Sequence, residues 1–87
     1  MTYSVEFSDL AFKQLKKLEK ETQTKVISAL ERCRIRPYDH VKKVVGTDYY
    51  RLKAGKYRVL MRIDGKRLVV FVVAVAYREK IYKNLEG

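Results

Sequence analysis

Apolar and polar residues alternate at the start of the chain. In residues 2–7, TYSVEF, positions Tyr3, Val5 and Phe7 fall on one side, which predicts a half-buried strand. The period then changes. Ala11, Phe12, Leu15 and Leu18 recur at helical spacing behind Ser8 and Asp9, either of which can cap a helix N-terminus with a side-chain oxygen. A second stripe, Val26, Ile27, Leu30 and Cys33, predicts a helix over 22–34. Pro37 ends it, because the residue before a proline avoids helical dihedrals. Both stripes are expected to face a core rather than a partner groove.

After a loop over 38–47 that ends at Gly46, period two returns and predicts three strands, 49–53, 57–64 and 67–76. Asp64 and Gly65 read as a two-residue hairpin turn. The run LVVFVVAVA is apolar on both faces, so it should be a central strand with cover on each side. Residues 79–87 read equally as a short helix or a tail. The order β-α-α-β-β-β predicts an α+β fold: an N-terminal strand, a helical hairpin on one face of a mainly antiparallel sheet, then a three-stranded antiparallel meander. The 87 residues are enough for one core and not for two, so a single domain over 1–87 is expected.

The segment YYRLKAGKYRVLMR, residues 49–62, adds charge to this pattern. With Gly55 and Lys56 as the turn, Ala54 pairs with Tyr57, Lys53 lies opposite Arg58, and Arg51 lies opposite Leu60. Paired residues share a face, as do residues two apart along a strand. Arg51, Lys53, Arg58 and Arg62 would then project from one side, and Tyr57, Val59, Met61 and Ile63 from the other, toward the helices. A three-residue turn would flip one strand's faces relative to the other's.

The segment holds five cations, Lys56 included, and no acid, and like charges opposed across a hairpin destabilise it. An anionic partner would offset that. The whole chain carries 20 Lys and Arg against 10 Asp and Glu, a net +10. Residues 42–87 hold 12 of the cations and 4 of the anions, so most of the excess lies on the sheet half. Segregated charge of this kind points to nucleic acid, and arginine forks suit phosphate. Ordinary solvated side chains are the plainer alternative.

Other chemistry is sparse. One Cys, one His and no clustered carboxylates give no expected metal site and no expected cofactor. Cys33 reads as a buried small hydrophobe, and His40, in the loop, as a surface residue. The longest apolar run is of strand length, so no membrane association and a cytoplasmic location are expected. Arg78 and Tyr82 are four apart and would share one side of a helical turn. Tyr82 taken by itself reads as a ring packing the terminal segment onto the domain.

In order and spacing, TYSVEFSDLAFKQLKKL and VVGTDYYRLKAGKYRVLMRIDGKRLVVFVVAVAYREKIYK resemble toxins of the RelE/ParE superfamily, specifically the RelE branch. The first resembles that family's opening strand and helix. The second resembles its glycine, YRxR, GxYR, long apolar strand and HRxxxYK blocks, so that nearly the whole chain is covered. The resemblance implies a RelE-like fold and a toxin of a type II toxin-antitoxin system. It further implies a ribosome-dependent endoribonuclease that enters the A site and cuts mRNA. Its partners would be the ribosome, mRNA and a cognate antitoxin, an acidic and partly disordered segment that folds on binding.

By motif, Arg51 and Lys53 match the basic pair of YRxR, Arg58 the arginine of GxYR, and Arg78 and Tyr82 the arginine and tyrosine of the terminal block. Lys53, Arg58, Arg78 and Tyr82 are the implied catalytic residues, with Arg51, Lys56 and Arg62 binding RNA. The implied chemistry is metal-free attack of a ribose 2′-hydroxyl on the adjacent phosphate. Tyr82 would be the base or the positioner of that hydroxyl, with Lys53 as the alternative base, and Arg78 would attend the phosphate or the leaving oxygen. Where this chain has Tyr77 the family often has histidine, so branches using a histidine and a glutamate as acid and base fit less well. Two readings from other classes stay open: a ParE-like inhibitor of DNA gyrase, against which the Arg58, Arg78 and Tyr82 pattern argues, and a non-catalytic RNA-binding module.

Overall fold

Ser8 converts the first strand into the first helix. In the computed structural model, which describes residues 2–80, its Oγ accepts the Ala11 N–H at 3.0 Å and donates to the Val73 carbonyl at 3.1 Å. The elements are β1 (Ser4–Phe7), α1 (Asp9–Lys16), α2 (Lys20–Arg32), a short 3-10 turn (Pro37–Asp39), β2 (Lys42–Lys43), β3 (Tyr50–Ala54), β4 (Tyr57–Asp64) and β5 (Val69–Tyr77). Of the two cap candidates Ser8 is the one used. Asp9 becomes the first helical residue, where a negative charge meets the positive end of the helix dipole.

The strands form one sheet in the order β1-β5-β4-β3-β2, with β1 parallel to β5 and the other pairs antiparallel. The expected α+β architecture holds, with both helices on one face: α1 packs on β5 and α2 on β3. Ala11 and Leu15 of α1, Val26, Ala29 and Leu30 of α2, and Cys33 meet Leu52, Val59, Met61, Val70, Val72 and Val75 of the sheet in the main core. Tyr3, Val5 and Phe7 pack against this core as the alternation of β1 predicts. Among the described residues no helix is long and apolar enough to cross a membrane.

Four expectations are corrected. Phe12 is 53% and Ile27 40% exposed, because each stands one residue, about 100° of helical turn, beyond a small buried neighbour, Ala11 or Val26. Phe12 instead lies 5.8 Å beneath the Lys16 ammonium. Next, the loop over 38–47 contains a further strand, β2, whose Lys42 and Lys43 pair with Arg51 and Tyr50.

Third, the β4–β5 connection is not a two-residue Asp-Gly turn. Residues 65–68 form a four-residue loop closing the Asp64–Val69 pair. Asp64 Oδ1 accepts the N–H groups of both Lys66 and Arg67 at 3.1 Å, an arrangement Asp favours in turns, and Leu68 takes the left-handed position at φ 56°. Finally, β5 is central but only partly covered on its second face. Val44 and Tyr49 pack over Leu60 and Ala74 there, while Phe71, Val73 and Ala76 stay half-buried.

A bulge makes the two-faced run of β5 possible. Leu60 pairs with Ala74 and Met61 with Val72, so Val73 is an extra residue. The inward positions therefore shift phase from Val70 and Val72 to Val75, as a bulge must cause when side chains alternate.

Candidate functional site

Gly55 and Lys56 form the turn the sequence predicts. Gly55 takes φ 61°, a conformation an L side chain resists, and the register that follows pairs Ala54 with Tyr57, Lys53 with Arg58 and Arg51 with Leu60. Val59 and Met61 go into the helix-side core, which leaves Arg51, Lys53, Arg58 and Arg62 on the opposite face. Lys42 joins them by pairing with Arg51.

His40, Lys42, Arg51, Lys53 and Arg58 line one concavity of about 310 Å³. Its walls come from the segment after the 3-10 turn and from β2, β3 and β4, and among the described residues no carboxylate lines it. Arg58 is half-buried, and its Nη1 donates to the carbonyls of Gly55 and Tyr57, both at 3.0 Å. These bonds engage one nitrogen of a group with five N–H donors and hold the guanidinium beside the turn. The ion pairs Arg34–Glu31 and Arg67–Asp64 lie away from this concavity.

The other sequence candidates are distributed around it. Lys56 is exposed in the turn. The Arg78 N–H donates to the Lys56 carbonyl at 2.9 Å, which ties the start of the terminal block to that end of the sheet, and the Arg78 side chain is exposed. Arg62 shares the face but pairs with Phe71 and lines a second, more open concavity of about 800 Å³ with Glu6, Asp64, Arg67 and Phe71. Tyr82 lies outside the described residues. Tyr77 packs edge-on against Tyr57 with ring centroids 5.5 Å apart, a pair whose register puts it on the side away from Arg58.

Lys42 and His40 belong to the concavity and sequence reasoning did not place them there. Lys42 sits on a two-residue edge strand, too short to leave a periodic signal. His40 is exposed, as expected of a surface residue; its position facing the cations depends on the route of the loop back to the sheet edge.

Among the described residues two side chains have altered acidities, Cys33 and Tyr38, and neither lines the concavity. Burial pushes the Cys33 thiol up, opposed by the nearby Arg32 guanidinium. The Tyr38 phenol is also raised, by burial first and then by Tyr50, Tyr3 and Asp64. Tyr38 stacks edge-on with Tyr50 at 5.5 Å. Among the described residues, no three His, Cys, Asp or Glu side chains gather where they would hold a metal ion.

A cluster of guanidinium and ammonium groups in one small cavity is suited to bind a phosphodiester. It is suited also to stabilise the charge that accumulates on phosphorus-bound oxygens during transfer.

Comparison with known proteins agrees with this fold. The family described as ParE toxin of type II toxin-antitoxin system, parDE, matches residues 5–82. An Escherichia coli protein described as a RelE-like toxin is 32% identical over 83 residues, covering 92% of this chain and 87% of that protein. The toxin-antitoxin complex RelBE2 of Mycobacterium tuberculosis contains a chain that superposes with a TM-score of 0.79 at 26% identity, covering 90% of this chain and 100% of its own. A mutant of the E. coli toxin RelE in the free state gives a TM-score of 0.80 at 25% identity, with 99% and 94% covered.

Proposed function

The chain belongs to the ParE toxin family of type II toxin-antitoxin systems, within the RelE/ParE superfamily, and from that premise we propose that it is a ribosome-dependent endoribonuclease cutting mRNA in the A site. The observation that carries this reading is the meeting of Arg51, Lys53 and Arg58 in one concavity, with Lys53 directly opposite Arg58. Three cations from two paired strands surround a space of phosphodiester size.

In the proposed reaction the ribose 2′-oxygen attacks the adjacent phosphorus and the 5′-oxygen leaves, giving a 2′,3′-cyclic phosphate and a 5′-hydroxyl. Arg51, Lys53 and Arg58 stabilise the phosphoryl charge; one preorganised donor of this kind contributes about 2.7–4 kcal/mol. Arg78, anchored at the turn, attends the leaving oxygen, and Tyr82 attends the attacking hydroxyl as its base or positioner. Lys56 and Arg62 hold RNA backbone on either side. The ribosome supplies orientation of the message. In the cell the toxin is held by an antitoxin, the arrangement in which the M. tuberculosis RelBE2 relative was solved. An acidic antitoxin segment folding over the basic face fits the net +10.

Primer extension on a message translated in vitro tests this. The protein should produce new 3′ ends inside A-site codons, and Arg58→Ala and Tyr82→Phe should each remove them while circular dichroism shows the fold retained. Full activity in both variants overturns the assignment. The family description names ParE, and that favours a second reading, inhibition of DNA gyrase without RNA scission; a supercoiling assay with purified gyrase decides for it. RNA binding that weakens steeply with salt and yields no scission marks a binding module.

A further inference from the structure

His40 is the only histidine in the chain, and the reaction described above gives it no part. It is exposed, yet it lines the same concavity of about 310 Å³ as Lys42, Arg51, Lys53 and Arg58. Its backbone is fixed on both sides. The His40 N–H donates to the Pro37 carbonyl at 3.1 Å, closing the 3-10 turn, and two residues later Lys42 is paired into the sheet opposite Arg51.

The chemistry of the ring sets it apart from its neighbours. A guanidinium neither gives up nor takes a proton in a protein, and an ammonium must lose one before it can accept one. A neutral imidazole has a free lone pair and exchanges its proton near neutral pH. The charged groups around it are Lys42 from β2, Arg51 and Lys53 from β3, and Arg58 from β4, with Asp39 its neighbour in the chain. A phosphodiester held by these cations would have its adjacent 2′-hydroxyl within the concavity that the imidazole also lines.

We infer that His40 contacts the RNA in this concavity and accepts the proton of the attacking 2′-hydroxyl. Positioning of that hydroxyl is left to Tyr82, and Lys53 stays a cation. The assignment rests on the ribonuclease reading of the site. A ring nitrogen takes the proton as the O2′–H bond breaks and the O2′–P bond forms. The P–O5′ bond breaks with its electron pair leaving on O5′, which takes a proton from water, and the imidazolium returns its own proton to water.

Single-turnover cleavage on translating ribosomes tests the role. His40→Gln should lower the rate by about 100-fold, the scale of general-base catalysis. It should also change the pH dependence of the rate, because the variant has no proton acceptor at that position. Lys42→Gln, which removes a neighbouring charge, should weaken RNA binding and keep the wild-type pH profile. A second measurement needs no cleavage: on adding an uncleavable 2′-O-methyl RNA, the ring C–H resonances of this one imidazole should shift together with β3 and β4 amides.

Full rate and an unchanged pH profile in His40→Gln, beside an inactive Arg58→Ala, overturn the His40 assignment and leave the ribonuclease reading standing. Absence of cleavage by the wild type overturns the ribonuclease reading itself, and full cleavage in both Arg58→Ala and Tyr82→Phe puts the reaction outside this concavity and overturns the role of His40 with it. Ring resonances that stay in place while the strand amides move overturn the contact itself.

Discussion

Lys53 and Arg58 are cross-strand partners on the β3–β4 hairpin, two cations facing each other where a sheet gains most from a cation and a carboxylate. Like charges at directly opposed positions destabilise by about 0.2–1 kcal/mol, and solvent-exposed repulsion is screened by salt. Lys53→Gln should therefore raise the urea midpoint at low ionic strength, and the gain should shrink at high salt. The same variant should lose RNA affinity. Thermal or urea melts at two salt concentrations, paired with a binding titration, check both halves. A Lys53 variant that is less stable at low salt shows that the pair is held by other contacts.

The turn that creates this opposition depends on Gly55. Its φ is 61°, and among the described residues a Cβ there would meet only Lys25 Cδ at 4.0 Å, so the conformation is the obstacle. Gly55→Ala should cost about 1 kcal/mol or more through the left-handed backbone alone. Gly55→Asn should cost less, since Asn tolerates that region. Urea unfolding orders the three proteins. Equal stability of Ala and Asn variants would mean that the turn relaxes to another type, and the Lys53–Arg58 register would then change with it.

Along β5 the chain swaps a strand neighbour for side chains. β1 pairs with β5 only as far as Phe7 opposite Val72. Past that point the Ser8 N–H donates to Val72 O at 2.9 Å, Ser8 Oγ donates to Val73 O, and Gln14 Oε1 accepts the Val75 N–H at 2.7 Å. Gln14→Leu keeps the bulk of the side chain and removes the acceptor, which should cost about 1–3 kcal/mol for the orphaned donor. Gln14→Glu retains an acceptor oxygen and should stay closer to the parent. Hydrogen exchange at the Val75 amide, slow in the parent and faster in Gln14→Leu, reports the bond directly.

How much of this was legible follows from what leaves a pattern. The alternation of Tyr57, Val59, Met61 and Ile63 fixed the faces of β4, and the Gly55-Lys56 turn fixed its register against β3, so the meeting of Arg51, Lys53 and Arg58 was readable from residues alone. The helix stripes were readable to within one residue, and they failed at Phe12 and Ile27 because the adjacent Ala11 and Val26 take the inward positions and leave each next residue about 100° round the helix. β2 was illegible, since two lysines at a sheet edge look like any polar loop. His40 was illegible for the same reason: its place in the concavity depends on β2 pairing with β3, and no local pattern encodes that pairing. The four-residue loop at Asp64 was misread because Asp-Gly signals a turn without fixing its length, and the Asp64 side chain stabilises the longer form.

Cys33, fully buried beneath the helices, couples folding to alkaline pH. Burial raises its thiol above the ordinary 9.0, against a smaller pull from Arg32, so the folded state favours the neutral form. The thiol's contribution to stability is therefore complete below the unfolded-state value and is lost as pH climbs through the raised folded-state one. Stability should be flat through neutrality and decline from about pH 9 upward. Cys33→Ala should lower stability at neutral pH by about 1–2 kcal/mol, for the small cavity left by the sulfur, and should flatten the onset of the decline. Tyr38, raised in the same direction from 10.0, keeps a residual slope at still higher pH in both proteins. Urea midpoints of parent and variant at about pH 7 and about pH 9.5 separate the two groups, and a decline that begins at the same pH with the same slope in Cys33→Ala would assign the alkaline sensitivity elsewhere.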